Sequence, residues 1–241
     1  MSKNKMDLLA KIKESMDVNF ESLKECFEQR SETITKGTDV KELDSYIAND
    51  KRIQDSLRYL KKIYRFLQLL CEGHNSNFQN FLRHQYRRTE RLFSKNIDFV
   101  LYTASQFGVF VKYMNPHATD LGNKLVEFLV ESVQGPCRGN QKQLFDGKIV
   151  DYTKDLMLEF GSEKDYIIKG FNNEKKKELY SIIKKSIKLL LALLEANDSK
   201  DLLTALVNSM DYETLIKILR DELLSYLLDK NMDKKLFEQI S

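Results

Sequence analysis

The chain has 241 residues, of which 42% are hydrophobic and 31% charged, and its net charge is +3. That supplies a sizeable core, so a disordered polymer is excluded and one elongated domain or two closely packed ones are expected. The small net charge, and the lack of a basic stripe interleaved with stacking aromatics, argue against a nucleic-acid partner.

Two prolines, nine glycines and abundant Leu, Lys and Glu point to helix, with no run of alternating strand pattern, so the fold class is all-α. Three cysteines at wide spacings, Cys26, Cys71 and Cys137, suit a reducing compartment better than a disulfide framework. No stretch approaches the roughly 20 apolar residues of a membrane span. The first residues carry charges inside their apolar pattern, unlike a signal peptide. Three segments are expected: an N-terminal helical part (1–50), a core (51–160) and a C-terminal helical extension (161–241).

In chain order, Leu9, Ile12, Met16, Phe20, Leu23 and Phe27 share one face, which predicts a helix to about Glu32 packed on the next helix of its own chain. The stretch TKGT (35–38) reads as a linker, and Asp39 with Glu42 has capping-box spacing for a short helix through Ile47. From about Lys51 an amphipathic helix carries Leu60, Ile63, Tyr64, Leu67, Leu70 and Cys71. Its pattern breaks at Gly73, His74, Asn75, Ser76 and Asn77, before Phe78, Phe81 and Leu82 resume the period, so two helices meet at a tight corner. Glu72 places a full negative charge in the last turn of the first helix. That placement costs roughly 0.3–1 kcal/mol unless a cation offsets it.

Arg83, Arg87, Arg88 and Arg91 suit either an anion site or a solvated connector, and the connector is the more ordinary outcome. Residues 96–114 are apolar at helical spacing, with Gly108 inside, and Asn115-Pro116 ends that helix. Thr119 or Asp120 caps the next, whose stripe is Leu121, Leu125, Phe128, Leu129 and Val133. This helix carries Glu127 and Glu131 and stops at Gly135-Pro136. Glu131 is therefore a second acid in a last turn.

The stretch GPCRGNQ (135–141) reads as a compact polar loop leading through Leu144 and Phe145 to a helix near 148–160, with a loop at 161–173. A long helix from Glu174 turns Leu179, Ile182, Ile183, Ile187, Leu190, Leu191 and Leu194 inward. Its lysines form a solvated face rather than a lipid-binding one. Asn197-Asp198-Ser199 leads to a helix through Met210, and Asp211 opens another with Leu215, Ile218, Leu219, Leu223, Leu224 and Leu227. Serial helix pairs with short connections suggest an armadillo-like stack, an α-solenoid, although no repeat period is visible.

For chemistry, the three histidines His74, His84 and His117 lie in no nucleophile or metalloprotease motif, and no glycine-rich phosphate loop is present. Glu72 and Glu131 resemble a glycosidase pair only in being acids, since nothing else makes a sugar cleft, so no enzyme is expected. Cys71, His74 and Cys137 form a possible zinc set, against which two buried cysteines and a hydrogen-bonding histidine are the ordinary explanation. A hard cation fits better, because calcium takes six to eight oxygens and carboxylates beside freed helix carbonyls supply them.

The stretches FLQLLCEGHNSNFQNFLR (66–83) and ESVQGPCRGNQ (131–141) resemble the two signature blocks of the RIH-associated domain shared by ryanodine receptors and inositol trisphosphate receptors. A third, SIKLLLALLEANDS (186–199), is similar to the helix that follows this domain in the inositol trisphosphate receptors. The resemblance covers about residues 55–215. It implies a helical, armadillo-like cytosolic part of a tetrameric calcium-release channel, at the cytoplasmic face of the endoplasmic reticulum or a related store. It also implies an activating calcium site using Glu72 and Glu131, supported by His74 and Gln134 and completed by a backbone carbonyl from the channel's C-terminal, pore-linked region. The chain lacks the family's ligand-binding region, transmembrane helices and that C-terminal segment, so weak calcium binding by the chain alone is expected. The alternative is a free-standing helical protein-interaction module without channel activity.

Overall fold

The computed structural model describes residues 3–37, 39–85, 96–161 and 171–209, together with Glu213, Ile216 and Arg220. Arg87, Arg88, Arg91, most of the loop expected at 161–173 and the apolar residues assigned to a helix after Asp211 lie outside the described residues.

Among the described residues the fold is all-α. Its helices are α1 (Lys3–Thr35), α2 (Lys41–Asn49), α3 (Lys51–Cys71), α4 (Ser76–Arg83), α5 (Phe99–Tyr113), α6 (Thr119–Val133), α7 (Arg138–Asp146), α8 (Ile149–Gly161), α9 (Asn173–Leu194) and α10 (Lys200–Ser209), with a 3-10 turn at Pro116–Ala118. None of these helices is long and apolar enough to cross a membrane.

Local chemistry sets the starts. Asp50 caps α3 by accepting from the backbone of Arg52 at 2.8 Å and Ile53 at 3.1 Å, Asp98 caps α5, and Asn172 caps α9. The inward stripe of α3, Ile53, Leu57, Leu60, Tyr64, Leu67 and Cys71, is buried. Each large apolar side chain of this kind contributes about 1.5–3 kcal/mol. The Tyr64 hydroxyl donates to the buried Gln106 of α5, so this buried hydroxyl is satisfied.

The helices repeat as units. α3, α4 and α5 form a first unit, α6, α7 and α8 a second, and α9 with α10 begins a third. α6 packs between α3 and α9, while α4 lies on α7 and α5 on α8. The leading helices of the three units, α3, α6 and α9, end in the same way. Glu72 (ψ 145°), Gln134 (ψ 147°) and Glu195 (ψ 117°) leave the helical region, and Gly73 (φ 70°), Gly135 (φ 79°) and Ala196 (φ 51°) follow in the left-handed one. These corners recur after 62 and 61 residues, marked in the sequence only by a Glu or Gln followed by a Gly or Ala. α1 packs on α3 and α5, and α2 on α3, so both cover the first unit.

Several expectations need correcting. No capping box opens α2: Val40 stands at its N-cap with no side-chain cap bond, and Asp39 engages the Lys41 amide and ammonium instead. Neither Thr119 nor Asp120 caps α6, since the 3-10 turn runs straight into it, Thr119 engages Glu178, and Asp120 pairs with Lys61. The stretch 135–141 is not all loop, because α7 begins at Arg138. In α4, Phe78 and Phe81 face outward and Gln79 is buried with Leu82. Leu191 is exposed rather than inward.

Two interactions invite direct tests. Arg30, buried on α1, donates from Nε to Asp44 at 2.7 Å, and His117 Nε2 lies 3.6 Å from the same carboxylate. Burial alone raises the Asp44 carboxyl, but hydrogen bonds from His117 and Arg30 outweigh that and hold it below the ordinary range. The contribution of a depressed carboxylate is complete above the unfolded value near 3.9 and is lost as pH falls through the folded one. Asp44→Asn is expected to cost about 3 kcal/mol in urea unfolding at pH 7, with the gap to wild type closing below about pH 4; a pH-independent gap contradicts this. At Gly122 of α6 an added Cβ would lie 2.6 Å from the ring of the buried Phe110. Gly122→Val is therefore expected to lower stability by about 1–3 kcal/mol, and an unchanged urea midpoint would show that the α5–α6 contact has slack.

Candidate metal centre

The corner after α3 is built by its polar residues. Cys71 is buried at the helix end, Gly73 and His74 (φ 57°) both take left-handed backbone, and the Asn75 amide returns to the Cys71 carbonyl at 3.2 Å. Asn75 Oδ1 then accepts from the Phe78 amide and starts α4. This leaves Glu72 exposed on the outside of the turn.

The corner after α6 comes against it. A Cβ on Gly135 would fall 2.5 Å from the Cβ of His74, so the approach of the two backbones requires glycine there for space as well as for its positive φ. Gln79, fully buried on α4, donates from Nε2 to the carbonyls of both Glu131 and Gln134, each at 2.8 Å. Asn140 of α7 donates to the carbonyls of Gln79 at 3.0 Å and Ser132 at 2.7 Å, and its Oδ1 accepts from Arg83 Nε at 2.8 Å. Arg83 thus clamps α4 to α7, with its guanidinium lying against Gly139.

Glu131 is half-buried on the final turn of α6. The Cys71 thiol is pushed up to about 12, first by burial and then by the negative charge of Glu131. The last turn of α6 is held beside the corner after α3 by the approach of Gly135 to His74. Among the described residues, neither the Glu72 nor the Glu131 carboxylate has a hydrogen-bond or ion-pair partner. Glu127, one turn earlier, is different. Burial raises its carboxyl, but Lys124 and Lys185, each at 2.7 Å, more than offset that and hold it below the ordinary range.

Of the four residues singled out, Glu72, His74, Glu131 and Gln134 all fall at this junction of corners. His74 packs on Gly135, and Gln134 ends α6 and offers its carbonyl to Gln79. Two carboxylates provide at most four oxygens, fewer than the six to eight that calcium takes. Among the described residues no group of three or more His, Cys, Asp or Glu side chains stands together as a metal cage. Glu72 and Glu131 alone could therefore make up only part of a calcium shell. Cys71, His74 and Cys137, the possible zinc set, do not stand together as such a group either.

A larger concavity lies elsewhere, an open groove of about 950 Å³ over α3, α6 and α9 that includes Arg65, Phe66 and Lys185. Three of its four acids, Asp120, Glu127 and Glu178, are already paired with lysines, so it offers no free carboxylate cluster.

Sequence reasoning missed Gln79, Asn140 and Gln141. Gln141 donates from Nε2 to the carbonyls of Ala192 and Glu195, each at 2.9 Å, and so does for α9 what Gln79 does for α6. The available signal is positional: each glutamine stands seven residues beyond the residue that ends its own unit's long helix. Glu195 was missed as well; its Oε2 accepts from the Gly135 amide at 3.2 Å.

Residues 54–157 match the family model described as RyR and IP3R Homology associated. Over 90 residues the chain is 40% identical to inositol 1,4,5-trisphosphate receptor itr-1 of Caenorhabditis elegans, an alignment covering 35% of this chain and 3% of that protein. The blocks around Glu72 and Glu131 both lie inside the matched residues. Residues 54–157 therefore form an RIH-associated domain, which places this part of the chain in the inositol trisphosphate receptor and ryanodine receptor family.

Proposed function

We propose that the chain is a calcium-responsive coupling module of an intracellular calcium-release channel, working on the cytosolic side of a store membrane such as the endoplasmic reticulum. The observation that carries this reading is the meeting of the α3 and α6 corners inside an RIH-associated domain. Glu72 ends the first of these helices and Glu131 lies in the last turn of the second, and neither has an ion-pair partner among the described residues, which supports a cation shared between them.

The chemistry follows from the missing oxygens. Carboxylates supply charge and part of a coordination shell, and a backbone carbonyl from the channel's pore-linked C-terminal region supplies more. His74 and Gln134 buttress the two acids from the turns that follow their helices. A cation held between two bodies binds best when they are docked, so calcium favours the docked arrangement by its difference in affinity for the two states. That difference is the free energy available to move a gate.

Calorimetric titration with calcium is expected to show weak binding by the full chain alone. Binding should tighten tenfold or more when a C-terminal segment of an inositol trisphosphate receptor is added. Glu72→Gln and Glu131→Gln should each abolish the tight phase while leaving the urea midpoint close to wild type. Unchanged binding in both variants would show that these acids are not the ligands.

A further inference from the structure

The carbonyl that Gln79 grips belongs to the residue whose carboxylate is the proposed ligand. The last carbonyls of a helix lack intrahelical donors, and at Glu131 the shortage is acute. Its ordinary partner, the amide of residue 135, is turned towards Glu195 instead. Gln79 replaces it, with one amide nitrogen bridging the carbonyls of Glu131 and Gln134 across the final turn. Only an NH2 group serves two acceptors here, and Gln79 Oε1, buried on the other side, has no hydrogen-bond partner among the described residues. The glutamine itself is fixed, since its carbonyl accepts from Asn140, which is held by Arg83.

We infer that Gln79 is a positioning residue for the Glu131 carboxylate: by fixing the last turn of α6 against the α3 corner it sets where that carboxylate faces Glu72. This rests on the calcium reading above. The molecule contains its own control. Gln141 makes the same pair of bonds one unit later, is equally buried, and also has an unpartnered buried Oε1, but the carbonyls it holds belong to Ala192 and Glu195 and to neither of the two acids, Glu195 touching the junction through its side chain at the Gly135 amide. A latch that only stabilises the stack would behave alike at both places.

The test compares Gln79→Leu with Gln141→Leu in the full chain, reading urea stability and calcium affinity by calorimetry with calcium alone. Similar losses of stability are expected, because the two latches are alike. Calcium affinity is expected to fall about 10–100-fold in Gln79→Leu, the range typical of lost outer-shell support, and to change less than twofold in Gln141→Leu. Gln79→Met keeps the side-chain length without the donors and replaces the leucine variant if that fails to fold. Equal calcium affinity in the two latch variants overturns the inference and leaves the calcium reading standing. A wild-type chain that binds no calcium at millimolar concentration overturns both.

Discussion

The structure depends on a single kind of bond made twice: a buried glutamine amide reaching across to the open end of the next long helix. Helix ends leave carbonyls without donors, and burying them unsatisfied costs roughly 1–3 kcal/mol each. Gln79 answers this for α6 and Gln141 for α9, so each unit supplies the polar completion that its neighbour lacks. Hydrophobic burial packs α3, α6 and α9 side by side, but it is not directional. The amides fix how far one unit slides along the next, and so which residues of adjacent corners face each other.

That register has an electrostatic consequence. Glu127 and Glu131 are one turn apart on the same helix, and only the first is neutralised, by lysines from its own helix and from α9. Glu131 has no such neighbour among the described residues. It lies at the corner where α3 ends in Glu72, and its charge is felt at the Cys71 thiol. The Gly135 backbone, too close to His74 for any side chain of its own, keeps the junction tight.

Much of the architecture was legible in the chain. The apolar spacing of Leu60, Tyr64, Leu67 and Cys71 located α3, and the run from Gly73 to Asn77 located its corner, because both depend on local chemistry. The family blocks identified the domain. What stayed hidden was whatever depends on partners distant in sequence. Gln79 sits between two phenylalanines in a helical pattern, and local reasoning turned Phe78 and Phe81 inward in its place. A polar residue wins the buried position only because two carbonyls 52 and 55 residues away need it. The repeat was invisible for a related reason. Glu72-Gly73, Gln134-Gly135 and Glu195-Ala196 share one backbone shape, but a pattern of two residues is too short to betray a period of 62 and 61 residues.

The central claim is that Glu72 and Glu131 share one ion. Diffraction from crystals of the chain with its channel C-terminal segment, grown in calcium and measured at a wavelength where calcium scatters anomalously, tests it most directly. The account predicts a single anomalous peak between the two side chains, with an oxygen of each about 2.3–2.6 Å away. A peak bound to only one of them, or full-length density for both carboxylates with no peak between them, would contradict it.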